Sequence, residues 1–448
     1  MTEILSLSDA VAFLTERARK SGADAAESCG VRSLSASAEC RARKTENLEY
    51  AETSGVDLRV FCGKRPAVVS SCVLDRDTLA ELAERAVQMA KTVPEDPYCG
   101  LADPAVQAGN TPDLDLFDPA EKSTAELLEL ALKTEDAALS VKGVAQSDGA
   151  SAGFEKSHIV SVSTTGFSRE YDRSSAFVSV SVIAADADGN KETDYDYSSA
   201  VYFSDLEDAA KIGRYAGERA VKRLRPTKID SGVMDVVFEP RLARGLVGTF
   251  AGAVNGAGIA RGTSFLKDEM GRQVLPETLS ILENPLKKRG AASRPCDAEG
   301  LPCAPCALAD KGVLSAWLLD LRSARKLGLE PNGHAARGLG ANPHPSASNL
   351  FLTGGTLSPA ELIGDIKRGL YLTQLFGQGV DMITGDYSRG ASGFLIENGE
   401  ITIPVSEITV AGNLKSMFRN MAAANDLDDR HAINAPTIRL AGLTVAGK

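Results

Sequence analysis

Four histidines are the whole imidazole complement of this 448-residue chain: His158, His334, His344 and His431. A helical zinc-hydrolase site needs two histidines four or five residues apart on one face, with a glutamate beside the first as general base. No pair here has either spacing, and none has a glutamate neighbour. Cys296, Cys303 and Cys306 contain one C-x-x-C pair. A structural zinc site takes four ligands and usually a second such pair, so ordinary thiols are expected. His334 and His344 lie ten apart in a glycine-rich loop, where a loop or interface role is expected over metal ligation. Ser388 and Asp386 have the residue types of a Ser/His/Asp hydrolase. The G-x-S-x-G elbow is absent, however, and nothing in sequence brings His334 to Ser388.

The polar residues with the clearest structural setting are Asp386, Ser388 and Arg389. An apolar run, Leu370 to Phe376, leads into Thr384-Gly385-Asp386-Tyr387-Ser388-Arg389-Gly390. A second run, Phe394 to Ile396, turns at Asn398-Gly399, the strongest short hairpin signal because both central residues of a type I′ turn need positive φ. This places Asp386 to Arg389 between two strands. Two uses stay open: Asp386 and Arg389 pair locally and fix the bend, or they line a peptide groove on a rigid hairpin.

The elements that must hold these residues follow from periodicity. Ser8-Asp9 is read as the cap of a helix to about Lys20, and Ala25 to Ser37 as a strand. Val56–Cys62 and Pro66–Cys72 form a hairpin, and Asp75 or Asp77 starts a second helix. A third helix is expected from Pro119 to about Ala138, then strands with valine and serine alternating (160–163 and 178–182). A fourth helix is placed from Asp205 to about Arg223, and Leu224-Arg225-Pro226-Thr227 marks a boundary. Val233 to Phe238 is a strand and Pro240 opens a helix to about Asn255, followed by glycine-rich sequence with short strands. The expected fold is α+β: an N-terminal region of antiparallel sheet and helices (1–230, divisible at about 1–103 and 119–230), then a β-rich C-terminal domain (231–448).

A hydrophobic content of 43% and a charged content of 24% are those of a globular protein, and no apolar run is long enough for a membrane span. The N-terminus lacks a signal-peptide pattern, so a cytoplasmic location is expected. A net charge of −11 argues against nucleic acid, which needs a basic face. Eight unevenly spaced cysteines do not form a secreted disulfide framework.

Four blocks carry a resemblance to a known family. They are TGDYSRGASGF-IENGEI (384–401), PVSEIT-AGNL (404–414), PEDPY-GLAD (94–103) and NGHAARGLGANP (332–343). The chain resembles the TldD/TldE (PmbA) proteins, once called modulators of DNA gyrase, and specifically the TldE/PmbA branch. That resemblance implies a cytosolic zinc-dependent peptidase built from TldD–TldE pairs, with an intertwining C-terminal domain used for dimerisation. In the TldD branch zinc sits on a helical H-E-x-x-x-H plus a late cysteine. The corresponding segment here, Val247 to Arg261, has no histidine, acid or cysteine, and no cysteine follows Cys306. The expectation is therefore a subunit with no catalytic residue, metal or cofactor of its own, its zinc being supplied by a TldD-like H-E-x-x-x-H partner. Asp386, Ser388, Arg389, Asn413, His334, Arg337 and Asn342 are its candidates for a peptide groove or an interface. Two other classes stay open: a homodimeric binding or scaffold protein without peptidase role, and an independent hydrolase using Ser388.

Overall fold

The computed structural model describes residues 3–109 and 111–448. In the N-terminal region, α1 (Leu7–Lys20), β1 (Ala25–Arg41), β2 (Lys44–Cys62), β3 (Arg65–Ser71) and α2 (Arg76–Thr92) form a first block. The second block is α3 (Thr124–Leu139), β4 (Val144–Ser163), β5 (Ser168–Ala185), β6 (Lys191–Ala200) and α4 (Ala209–Lys222). The strands of both blocks share one antiparallel sheet in the order β3-β2-β1-β4-β5-β6, with β1 and β4 joining the halves.

Three helix starts differ from the sequence expectation. The α1 cap is Ser6, whose hydroxyl accepts the Asp9 N–H at 3.2 Å, because Leu7 is buried and the helix must include it. The third helix starts at Thr124 instead of Pro119, on a capping box between Ser123 and Glu126. Residues 118–120 are held elsewhere: the buried Asp118 carboxylate accepts the N–H groups of Ala120 and Phe203. The fourth helix is capped by Asp208, not Asp205.

Side-chain alternation gives this sheet two unlike faces. Val56, Leu58 and Val60 on β2 pack with Leu14 and Leu79 under α1 and α2. Val178, Val180 and Val182 on β5 pack with Leu127 and Ile212 under α3 and α4. The intervening residues Glu27, Asp57 and Arg59 therefore point away from the helices, toward the C-terminal domain.

That domain begins with β7 (Gly232–Phe238), α5 (Pro240–Ala253) and α6 (Gly256–Arg261). Short strands β8 (Ile281–Glu283), β9 (Cys306–Asp310) and β10 (Val313–Leu314) follow, then α7 (Leu321–Leu327) and the ribbon β11 (Ala335–Ala336) and β12 (His344–Pro345). After β13 (Leu350–Leu352) and α8 (Pro359–Ile363) come β14 (Arg368–Phe376), β15 (Asp386–Glu397) and β16 (Glu400–Asn413). The chain finishes with α9 (Leu414–Arg419), β17 (Met421–Ala423), β18 (Ile433–Asn434) and β19 (Ile438–Ala446). Strands β16-β15-β14-β7-β19 form a sheet that closes into a barrel, because β16 also pairs with β19. Asn398 and Gly399 (φ 50° and 81°) make the expected hairpin turn between β15 and β16. At Gly393 a Cβ would come within 2.0 Å of the Tyr371 carbonyl, so close packing of β15 on β14 requires glycine there.

The two regions are locked by buried charges. Arg337, at the start of the connection from β11 to β12, bonds to both Glu27 and Asp57. Asp57 also accepts the N–H of Gly340 at 3.0 Å. Arg59 lies 2.8 Å from Glu27 and 3.7 Å from Glu299. A second grip comes from α7: Arg325 donates to the carbonyls of Tyr98, Gly100 and Leu101 at 2.7–3.1 Å, which ties residues 94–103 to the C-terminal domain. Removing one member of a buried pair strands its partner's charge, at a cost of about 3–5 kcal/mol. Arg337→Ala is expected to shift the first urea unfolding transition by about that amount, and Arg337→Lys to recover only part of it. An unchanged midpoint, followed by circular dichroism, would show that the lock does not hold the regions together.

Candidate functional site

Between the polar face of the N-terminal sheet and α6, α7 and the 332–350 loop runs a cleft of about 350 Å³. Arg59 and Phe61 line its sheet side, Arg261 and Lys326 its helical side, and Asn342 and His344 its loop side. Glu299 is buried at its base; its carboxylate accepts the Leu321 N–H at 2.7 Å. Burial pushes this carboxyl up to about 8, with Arg59 pulling the other way. At neutral pH it is mostly protonated and can donate a hydrogen bond inside the cleft. A carboxyl perturbed this far in a cleft is a functional-site candidate on physical grounds. Next to it a smaller polar cavity of about 20 Å³, bordered by Glu27, Glu299 and Arg337, has room for a water molecule.

The structure separates the residues singled out by sequence into three places. Asn342 lines the cleft, and Arg337 lies beside it, fully engaged by Glu27 and Asp57. His334 is buried: Nδ1 is 2.7 Å from Asn332 Oδ1, and Nε2 is 2.7 Å from Glu283 Oε2. Asp386, Ser388, Arg389 and Asn413 are on the barrel, and none of them lines the cleft.

On the barrel, the expectation that residues 386–389 lie between strands is corrected: they form the first residues of β15, and the connector is 377–385. Asp386 does not pair with Arg389 either. Its carboxylate accepts from Thr384 Oγ1 at 2.9 Å and from Asn413 Nδ2 at 3.1 Å, its cross-strand neighbour. Alternation explains this, because Asp386 and Ser388 face one way while Tyr387 and Arg389 face the other. Burial raises the Tyr387 phenol to about 12, with Arg389 on the same face pulling the other way. Ser388 is exposed, with no histidine among its hydrogen-bond partners, and His334 is committed elsewhere. The triad reading has no geometry behind it.

The C-x-x-C pair is likewise split. Cys303 Sγ donates to the Gly333 carbonyl at 3.0 Å, whereas Cys306 Sγ is 3.7 Å from Glu283 Oε2. Cys296 sits 2.7 Å from an Arg169 nitrogen.

The segment 247–261 is two helices: α5 ends at its C-cap Val254, and Asn255 caps α6. Residues Gly245, Gly248, Thr249 and Gly252 occupy the outward face of α5. The donors of a helical zinc site are not there, so the residues present do not fit a catalytic metal on this helix. Beside α5 a second cleft, about 240 Å³, is lined by Tyr197, Glu207, Arg244 and His431. Burial, followed by the charges of Arg244 and Arg430, pulls His431 down to about 4, which keeps its ring neutral at physiological pH.

Residues 231–447 match the family model described as the PmbA/TldA metallopeptidase C-terminal domain, 117–224 its central domain and 26–90 its domain 1. The chain belongs to the PmbA/TldD family. It is similar to metalloprotease PmbA of Escherichia coli O157:H7, 36% identical over 427 residues that cover 95% of this chain and 93% of that protein. Among solved structures, a protein of Bacteroides thetaiotaomicron VPI-5482 described as a candidate modulator of DNA gyrase superposes with a TM-score of 0.90. It is 26% identical, and 98% of each chain is covered. TldE from Thermococcus kodakarensis shares the fold, with a TM-score of 0.86 at 19% identity, over 98% of this chain and 100% of that one.

Within this PmbA/TldD chain, sequence reasoning missed Arg59, Glu283 and Glu299. Arg59 had a visible signal: polar residues at 57 and 59 interrupt the apolar run 56–62 at every second position. Glu299 was legible only as part of the S-R-P-x-D-x-E-G pattern (293–300), with nothing local to mark its burial.

The raised Glu299 carboxyl has a definite signature. Between about 4.5, its ordinary value, and about 8, the folded chain retains a proton that the unfolded chain has lost. Stability contributed by this group therefore falls as pH rises through that window and is level on either side. Glu299→Gln is expected to flatten the dependence and to gain about 1–3 kcal/mol relative to the parent near pH 8. Melting curves of parent and variant that stay parallel across the window would exclude a neutral Glu299.

Proposed function

We propose that this chain is the non-catalytic, TldE/PmbA-like subunit of a cytoplasmic zinc metallopeptidase that processes or degrades peptides. Its partner is a TldD-like chain that supplies the H-E-x-x-x-H zinc, the catalytic glutamate and the water. The observation that carries this reading is α5: it offers no histidine, carboxylate or thiol, while the relatives are named metalloproteases. On its outward face Gly245 leaves space for another chain to approach, since a Cβ there would meet nothing within 4 Å. This chain contributes chamber wall and strand edge. Residues 44–55 of β2 pair with β1 alone, because β3 pairs only with Val56–Cys62, so one row of backbone groups remains open to an extended peptide. No helix is long and apolar enough to cross a membrane, and a net charge of −11 argues against nucleic acid as a main partner.

Co-expression with an H-E-x-x-x-H family member tests this directly. The expected result is a co-eluting complex that hydrolyses peptides and contains zinc on the partner, while this chain alone is inactive. Gly245→Leu is expected to keep the melting temperature of the isolated chain and to lower complex formation at least tenfold. Robust zinc-dependent hydrolysis by the isolated chain would overturn the proposal. Self-association with no affinity for such a partner would instead support a homodimeric scaffold.

A further inference from the structure

We propose that Glu283, Cys306 and His334 supply three ligands for one buried zinc-class divalent cation, with water as the fourth, at a site separate from any catalytic centre. Glu283 ends β8 and is the cross-strand partner of Cys306, which begins β9, and the loop after α7 brings His334 over both. One ligand atom from each residue lies within 4.8 Å of the other two.

Hydrogen-bond accounting around His334 calls for a cation. Asn332 Nδ2 donates to the Trp317 carbonyl at 2.8 Å, and Asn332 Oδ1 accepts the Leu319 N–H at 3.0 Å, which fixes the orientation of the amide. Asn332 Oδ1 also faces His334 Nδ1 at 2.7 Å, so Nδ1 carries a proton. In the neutral ring the Nε2 lone pair then points at Glu283 Oε2, 2.7 Å away. At that separation the two lone pairs share a proton; a metal ion bound by both would replace that proton and spread the atoms to about 3.3 Å. The Nδ1–H donated to an amide oxygen is the outer-shell arrangement that orients metal-bound histidines.

The remaining observations favour the metal. Cys306 Sγ stands 3.7 Å from the same carboxylate oxygen, a separation compatible with two ligands of one ion. Glu283 is fixed from its other side by Ser348, whose N–H donates to Oε1 and leaves Oε2 turned toward His334 and Cys306. Imidazole, carboxylate and thiolate together suit zinc and its tetrahedral analogue cobalt better than magnesium or calcium. Binding releases the protons held at the thiol and between the ring and the carboxylate, and no redox step is involved. Glu283 and His334 are 2% and 4% exposed, so a bound ion would have no access for a peptide. Its effect is mechanical. It pins the root of the loop that carries Arg337 into the charge lock of the N-terminal sheet.

The test uses the full-length chain, stripped with chelator under reducing conditions and titrated with cobalt(II). One equivalent is expected to bind with tetrahedral visible bands and a thiolate-to-cobalt charge-transfer band, to be displaced by zinc, and to raise the melting temperature. Cys306→Ser should abolish the charge-transfer band, Asn332→Ala should weaken binding about 10–100-fold, and Cys303→Ser should leave the spectrum unchanged. Because the Cys306 side chain is only half-buried, its variant is expected to fold even if a His334→Gln variant does not. Absence of stoichiometric binding, or a thiolate band that survives Cys306→Ser, would overturn the site and leave His334 and Glu283 as a hydrogen-bonded pair.

Discussion

The insertion of Arg337 between Glu27 and Asp57 is the contact on which the arrangement of the molecule depends. Taking three charges out of water costs several kcal/mol each, and only close geometry with added hydrogen bonds offsets that cost. Here the Cys29 and Gly340 N–H groups complete the Asp57 carboxylate, and Arg59 shares Glu27. Such a network contributes little net stability over an apolar interface of equal size. Its value is orientation: a guanidinium that must meet two carboxylates on neighbouring strands admits one docking geometry.

The rest of the interdomain site follows from that geometry. With the 332–350 loop held against the sheet, Glu299 is enclosed and loses its charge at neutral pH, while Asn342 and His344 reach the rim of the cleft. At the root of the same loop the Asn332 amide orients His334 toward Glu283. One segment thus links the domain interface, the cleft and a buried donor cluster, although its sequence is mostly alanine, glycine, asparagine and proline with scattered polar residues and two leucines.

The C-terminal barrel has a different logic. Its glycines set how closely strands approach, as at Gly393, and its hairpin register places Asp386 opposite Asn413. On α5, small residues occupy the outward face where a catalytic helix would present metal ligands. Both features are local in sequence and were readable there. The Asn398-Gly399 turn was expected and observed, because its backbone geometry depends on two residues alone. The pairing expected between Asp386 and Arg389 failed because strand alternation sends them to opposite faces.

By itself, the sequence determined the α+β class, the family, the major strands and helices, and the lack of a histidine pair on α5. These depend on periodicity, on residue inventory and on short-range turn chemistry, each contained within a few consecutive positions. Helix starts shifted by three to five residues at α3 and α4, where capping by Ser123 and Asp208 outweighed the earlier proline and aspartate. Tertiary structure alone decided that Arg337 would serve as a lock, that Glu299 would be neutral, and that Glu283, Cys306 and His334 would converge. Those outcomes depend on burial and on contacts between positions as much as 310 residues apart, as for Arg337 and Glu27. A side chain's charge state and partners are set by the dielectric and the neighbours that folding provides, and neither is encoded locally.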